Sequence, residues 1–215
     1  MKNKDYLKAF KIIKEETKKF NVPSVTLFSY KKNPYLVLVS CILSLRTKDK
    51  TTIEASNRLF KVARSPQDMI KLSKSRIEKI IYPVGFFRNK AGVILDISRR
   101  LISDFSAKVP STLDELLSLK GVGRKTANLV LGLGFATPAI CVHTHVNRIP
   151  NRLGWVKTDE SFETEKELEL VFPKKNWIEL NTVLVAFGQN ICLPVKPHCC
   201  VCPVEKYCRK IGVNN

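Results

Sequence analysis

Residues 119–125 (LKGVGRK) form the first group whose types and spacing could do chemistry. They lie between two segments with helical patterning, and the two glycines one residue apart predict a tight hairpin. Such a hairpin exposes backbone N–H groups, and the positive end of the following helix points the same way. It can therefore bind phosphate, although an ordinary helix turn with a C-cap glycine has the same pattern. The residues expected to bind phosphate are Lys120, Gly121, Val122, Gly123 and Arg124.

Lys125 follows this hairpin directly and falls in the first turn of the second helix. There the helix dipole and partial burial would both favour the neutral form of an amine, which is the nucleophilic form. Most lysines on helices are simply solvated, so this interpretation needs support from elsewhere in the chain. The cysteines provide that support.

Four cysteines near the C-terminus form the second group, with the spacing C-x6-C-x2-C-x5-C: Cys192, Cys199, Cys202 and Cys208. Thiolates are soft ligands, and four of them suit either tetrahedral zinc or an iron–sulfur cluster. Zinc sites usually pair two C-x2-C arms across a longer gap, whereas this compact loop has one short arm. The spacing therefore favours a cluster. Cys200 is a spare residue in the loop, and Cys41 and Cys141 are interpreted as small core residues.

The charge balance indicates an anionic partner. The 215 residues include 37 Lys and Arg against 19 Asp and Glu, which gives a formal net charge of +18. Nucleic acid is the main candidate, because a lysine-rich surface of thermophilic type usually brings matching glutamate. No signal peptide or membrane span is predicted, so we expect a cytoplasmic protein whose seven cysteines indicate metal rather than disulfides.

Helical spacing of apolar residues runs through the chain, and no stretch alternates well enough to predict a strand. The predicted architecture is therefore all-α. Residues 86–90 are predicted to be a loop with two aromatic residues, and Pro150 is expected to break or kink the helix that begins near Val146. The predicted helices cover residues 6–20, 35–45, 53–62, 66–72, 75–81, 91–105, 127–133, 162–171 and 177–191.

A hairpin between two helices that ends in lysine, followed by this cysteine loop, resembles the endonuclease III family of DNA glycosylases. The resemblance covers nearly the whole chain, and the cysteine spacing is its more specific part. It implies a central helix bundle of residues 27–137 that contains the helix–hairpin–helix. It also implies a domain of residues 1–26 and 138–215 that holds a [4Fe–4S] cluster. The implied protein is a monomer that acts on nucleoid DNA in the groove between the two domains.

The same resemblance implies base excision repair of double-stranded DNA that carries a damaged base or an abasic site. Lys125 would attack C1′ of a flipped nucleotide, expel the base, and hold the sugar as a Schiff base until β-elimination cuts the strand. Relatives that lack this lyase step carry Ser or Tyr here, so oxidised pyrimidines are the implied substrates. Arg46 and Phe86 would fill the gap left by the flipped base, although the family more often has Gln at position 46. Lys196 and His198 would contact phosphates.

His143 departs from the family pattern, because residues 142–145 (VHTH) align with its Val-Asp-Thr-His. The family aspartate would stabilise the developing sugar cation and help the lysine lose its proton. Histidine cannot supply that negative charge, and aspartate is the better helix N-cap. His143 is therefore either a neutral general base or a poor cap that weakens base removal. The alternatives to a full glycosylase are a lesion-binding or AP-lyase-only protein, and a zinc-dependent DNA-binding module.

Overall fold

The structure, a computed structural model, describes residues 5–29 and 33–213. No strand occurs within these two ranges, so the all-α prediction is confirmed. The α-helices are α1 (Asp5–Thr17), α2 (Ser24–Ser29), α3 (Pro34–Ser44), α4 (Asp49–Val62), α5 (Pro66–Ile70), α6 (Lys74–Ile81), α7 (Phe87–Asp104), α8 (Leu113–Ser118), α9 (Arg124–Phe135), α10 (Thr144–Leu153), α11 (Ser161–Val171) and α12 (Trp177–Asn190).

The chain folds into two compact units. The central unit is Ser24–Thr137, and the terminal unit combines Met1–Pro23 with Pro138–Asn215. The family resemblance puts the first boundary at 26/27, whereas the structure has it at 23/24. Ser24 belongs to the central unit because its hydroxyl donates a hydrogen bond to Asp49 Oδ1 at 2.9 Å. The second boundary lies at 137/138 in both.

Helix α3 forms the core of the central unit. Asn33 caps it by accepting the backbone N–H groups of Tyr35 and Leu36, and Pro34 occupies its first turn. Nine of its 11 residues are buried, because α2, α4, α7 and α9 pack around it. The buried helix predicted over residues 35–45 is thus confirmed. In the part of the chain that the structure describes, no helix is long and apolar enough to cross a membrane.

Helices α7 and α10 both differ from the sequence prediction. α7 begins at Phe87 rather than at residue 91, because Phe86 adopts a left-handed conformation and its carbonyl accepts the N–H of Lys90 at 3.0 Å. Most of the loop predicted at 86–90 is therefore helical. α10 continues through Pro150 to Leu153, because packing of its buried face against α12 outweighs the hydrogen bond that proline cannot donate.

The terminal unit joins the two ends of the chain through an aromatic cluster. Phe10 of α1 packs edge to face against Trp155 and Phe172, with ring centroids 6.4 and 5.3 Å apart. α1 and α10 both pack against α12. One core therefore positions the start of α10, where His143 lies, and the end of α12, which leads into Cys192.

Candidate functional site

The hairpin between α8 and α9 has a buried inner side and an exposed glycine backbone. Leu119 and Val122 are buried, and Val122 N donates to Leu119 O at 2.9 Å. Gly121 has a φ of 90°, and an added Cβ would lie 2.7 Å from Val93 Cγ1 of α7, so only glycine fits this turn. Gly123 is the N-cap of α9 and has open space around it. The predicted hairpin is confirmed, and α9 begins at residue 124 rather than 127.

Lys125 lies in the first turn of α9, as the sequence predicts, but its side chain is exposed. The expectation of partial burial is wrong, because the glycines of the hairpin leave the start of the helix uncovered. Lys120 is also exposed, and Arg124 is half-buried. The amine of Lys125 is therefore accessible next to the backbone N–H groups that begin α9, where an anionic ligand can reach both.

Arg46 and Phe86 come from separate loops of the central unit, and the structure brings them together. The guanidinium carbon of Arg46 lies 5.7 Å from the centroid of the Phe86 ring. Both residues have positive φ angles, 50° and 57°, and both are exposed, Phe86 to 63%. Left-handed backbone at non-glycine residues is strained, so other contacts must hold these loops. An exposed aromatic ring with a cation over it is suited to wedge into a stack of bases.

Lys90 of α7 supplies some of those contacts, although it is only 6% exposed. Its Nζ donates to Leu43 O at 2.9 Å, to Leu45 O, and to Thr47 Oγ1 at 3.1 Å. Burial lowers the pKa of Lys90 to about 8. Three acceptors match the three N–H groups of an ammonium, so these hydrogen bonds oppose the effect of burial.

The four cysteines of the C-x6-C-x2-C-x5-C motif line a single cavity in the terminal unit, together with apolar residues that include Phe187 and Ile191. Burial, together with repulsion from the thiolate forms of the three other cysteines, raises the pKa of Cys202 to about 11. Cys200 is exposed, whereas Cys41 and Cys141 are buried. Within residues 5–29 and 33–213, no three His, Cys, Asp or Glu side chains are arranged to hold a metal ion. The thiols thus share a cavity without converging on one ion.

Two arginines, four residues apart on α10, hold the cysteine loop. Arg152, 8% exposed, donates to Leu193 O at 2.6 Å, to Pro194 O at 2.7 Å and to Cys192 Sγ at 3.5 Å. Arg148 Nη2 donates to Cys192 O at 2.8 Å. The helix that carries His143 as its N-cap is therefore bonded directly to the loop that carries the thiols.

Lys196 and His198 lie in this loop, and both are exposed. Lys196 has a φ of 49°, and the backbone N–H of His198 donates to Ile191 O at 2.9 Å. This hydrogen bond anchors the loop to the residue that follows α12. The two side chains are accessible to an anionic ligand.

His143 caps α10: its Nδ1 accepts the backbone N–H of His145 at 3.3 Å. A ring nitrogen thus takes the place of a capping oxygen, and the expectation that histidine caps less well than aspartate stays a prediction. The two imidazole rings pack edge to face, with centroids 5.3 Å apart. Since Nδ1 is an acceptor, the neutral His143 ring carries its proton on Nε2.

Comparison with known proteins identifies the family. The HhH-GPD superfamily of base excision DNA repair proteins matches residues 39–174. The endonuclease III of Thermotoga maritima is 46% identical over 176 residues, which cover 82% of this chain and 83% of that protein. The chain belongs to the endonuclease III family. Its enzymatic activity is that of a base excision repair DNA glycosylase and AP lyase.

Solved structures support the same assignment to the endonuclease III family. A trapped covalent intermediate of endonuclease III with DNA matches with a TM-score of 0.85 at 31% identity, over 98% of this chain and 97% of that one. A chloroplastic endonuclease III homologue from Arabidopsis thaliana is 41% identical, and the matched region spans 48% of its length.

Sequence reasoning about this endonuclease III family member missed Lys90 and Arg152. Lys90 lies four residues before the buried Ile94, so the apolar spacing of α7 places a lysine on its inward face. Arg152 lies four residues after Arg148, which puts two cations on one side of a short helix. In α7, the signal in the sequence is a charged residue at a position where the helical spacing predicts an apolar one.

Proposed function

We propose that this enzyme removes oxidised or fragmented pyrimidines from duplex DNA and cleaves the abasic strand through a Schiff base on Lys125. The observation that carries this proposal is the exposed amine in the first turn of α9, directly after a hairpin suited to phosphate. A relative that was trapped as a covalent intermediate with DNA supports covalent chemistry. A primary amine is needed, because a hydroxyl in its place cannot form an imine.

The reaction begins when the neutral amine of Lys125 attacks C1′ of the extruded nucleotide. The bond between C1′ and the base breaks, and the base leaves with the bonding electrons and takes up a proton. Opening of the sugar ring then gives an iminium ion between Nζ and C1′. Loss of a proton from C2′ expels the 3′-phosphate and cuts the strand. Because Lys125 is exposed in the free protein, its amine is open to an extruded nucleotide.

The remaining site residues are proposed to hold the DNA. Arg46 and Phe86 would fill the gap in the stack after the nucleotide leaves, which offsets part of the cost of unstacking. The hairpin N–H groups and Lys120 would bind phosphates next to the target nucleotide, and Lys196 and His198 would bind phosphates from the cysteine loop.

A second candidate function, abasic-site cleavage with weak base removal, is favoured by the hydrogen bond of His143. With Nδ1 accepting from the backbone and Nε2 protonated, the ring has no lone pair to offer as a general base. It also supplies no negative charge to the sugar cation that develops as the base leaves. An abasic sugar has already lost its base, so the lyase step depends on this position much less.

Two duplexes distinguish these functions, one with thymine glycol and one with an abasic site. With borohydride present, a glycosylase and lyase forms a trapped adduct with both duplexes, whereas the second candidate forms it efficiently with the abasic duplex alone. An undamaged duplex is the control. If neither damaged duplex forms an adduct, the Schiff-base proposal is overturned.

We also propose a [4Fe–4S] cluster bound by Cys192, Cys199, Cys202 and Cys208. Four soft donors around one largely apolar cavity fit such a group. Arg152 Nη1 and the backbone N–H of Lys210 lie 3.5 and 3.3 Å from two of the sulfurs, where they would stabilise thiolate charge. When bound, the cluster would brace the loop that carries Lys196.

Iron content tests the cluster. We expect about four iron atoms per chain and a broad visible absorption shoulder, and Cys202→Ala should lower both. Cys200→Ala is the matched control, because Cys200 is exposed and does not line the cavity, so iron should be retained. One zinc per chain with no iron would contradict the cluster and support the zinc alternative.

The salt dependence of DNA binding tests the hairpin. Because lysines displace counterions from phosphates, the logarithm of the binding constant should fall steeply and linearly with the logarithm of salt concentration. Lys120→Gln should weaken binding to all sequences and reduce the slope by about 1. Lys166→Gln, in the acidic helix α11, removes the same charge and should leave the slope unchanged. Equal slopes for Lys120→Gln and the wild type would exclude Lys120 as a phosphate contact.

A further inference from the structure

Lys90 is a buried cation whose hydrogen bonds converge on one turn. The residue is 6% exposed, and its three N–H groups meet the carbonyls of Leu43 and Leu45 and the hydroxyl of Thr47. Burying a charge is costly even when its hydrogen bonds are satisfied. A neutral side chain would fill the same space at lower cost, which indicates that the bonds themselves have a function.

The turn that Lys90 binds is the one that presents Arg46. α3 ends at Ser44, and Arg46 follows in a left-handed conformation with a φ of 50°. The ammonium satisfies two carbonyls that precede this residue, at the negative end of α3, and the Thr47 hydroxyl that follows it. Without it the two carbonyls would have to turn towards water, and the strained Arg46 backbone could relax.

Lys90 also reaches the second loop, through both its backbone and Thr47. Its own N–H donates to Phe86 O at 3.0 Å, which begins α7 with Phe86 in the left-handed region. Thr47 Oγ1 accepts the N–H of Gly85 at 3.2 Å. Gly85 lies so close to the other loop that an added Cβ would be 2.7 Å from Arg46 O. One lysine thus joins the two loops whose tips meet at 5.7 Å.

We propose that Lys90 is a positioning residue that sets the DNA wedge formed by Arg46 and Phe86. Lys90 is buried and acts through those two side chains, not through contact with DNA. The inference rests on the wedge function of Arg46 and Phe86 given under Proposed function. It adds a residue outside the DNA-contacting surface on which recognition of an abasic site depends.

Lys90→Met tests the proposal, because methionine has a similar length and removes the three hydrogen bonds. The readout is a discrimination ratio, the Kd for an intact duplex divided by the Kd for a duplex with a tetrahydrofuran abasic analogue. Loss of one stacking side chain typically changes binding about tenfold, so we expect the ratio to fall about tenfold. A 2-aminopurine base opposite the analogue reports unstacking directly, and its fluorescence increase on binding should be smaller with Lys90→Met.

A mutant cycle separates positioning from simple destabilisation. In an Arg46→Ala/Phe86→Ala background, Lys90→Met should reduce the ratio no further, because the side chains through which it acts are gone. Met69→Ala is the matched control: Met69 is fully buried in α5, which packs on α7 and belongs to neither loop, and loss of its side chain lowers stability. This variant should keep the wild-type ratio. All measurements are made well below the unfolding temperature of each variant.

If Lys90→Met does not fold, Thr47→Val removes the link to Gly85 while keeping the shape of the side chain, and Thr47→Ser should rescue the ratio. A wild-type ratio in Lys90→Met, or in Thr47→Val where Lys90→Met cannot be made, would overturn the proposal. A further fall of the discrimination ratio in the Arg46→Ala/Phe86→Ala background, or an equal fall in Met69→Ala, would also overturn the proposal. If Arg46→Ala/Phe86→Ala itself keeps the wild-type ratio, the wedge assignment fails, and the Lys90 inference fails with it.

Discussion

Lys125→Ala protein is expected to form no borohydride-trapped adduct with abasic DNA. It should cleave the strand at least about 10⁴-fold more slowly than the wild type, because covalent enzymes lose most of their rate when the nucleophile is removed. Alanine cannot form an imine, and the hairpin next to residue 125 donates backbone N–H groups that do not replace the amine. Single-turnover cleavage of an abasic duplex and trapping at saturating protein measure the two effects.

Two variants control this experiment. Lys125→Arg keeps the positive charge beside the hairpin but has no nucleophilic amine, so it should bind abasic DNA like the wild type and still form no adduct. Lys120→Ala removes the neighbouring exposed lysine and should form the adduct once protein is in excess. Adduct formation by Lys125→Ala would mean that a different amine is the nucleophile, and peptide mapping of that adduct would identify it.

His143→Asp is expected to raise single-turnover excision of thymine glycol by about 10²–10³-fold, the effect of one well-placed charged or polar group at a developing charge. One carboxylate oxygen can take over the cap bond to His145 N, and the other can stabilise the sugar cation. Cleavage of a pre-formed abasic site should change much less. Because His143 already caps α10, the free energy of unfolding should change by less than about 1 kcal/mol.

His143→Asn separates charge from capping, since asparagine caps as well as aspartate and is neutral. If the carboxylate charge is what the site lacks, Asn should leave excision slow while Asp raises it. Equal rates for the two variants would show that the charge is irrelevant. Excision by His143→Asp that is no faster than that of the wild type would mean that this pocket works through histidine, and that the family mechanism does not apply to it.

The chemistry of this protein could be predicted from short stretches of sequence. The hairpin depends on two glycines and the helix that follows, and its geometry is set by φ angles and hydrogen bonds within a few residues. The cysteine spacing likewise fits a single loop, and the four thiols do line one cavity. The burial of α3 could be predicted in the same way, because a helix whose residues are mostly apolar on all sides must be buried.

Only the tertiary structure decided which distant residues meet and which side chains are covered. Arg46 and Phe86 are 40 positions apart, and no local pattern says that one lysine of α7 joins their loops. The exposure of Lys125 likewise depends on what packs nearby. Local hydrogen bonds and backbone angles are encoded within a turn or two of chain. Burial and the strained turns that packing supports depend on contacts between helices that lie far apart in sequence. The role of Lys90 could therefore be inferred only from the tertiary structure.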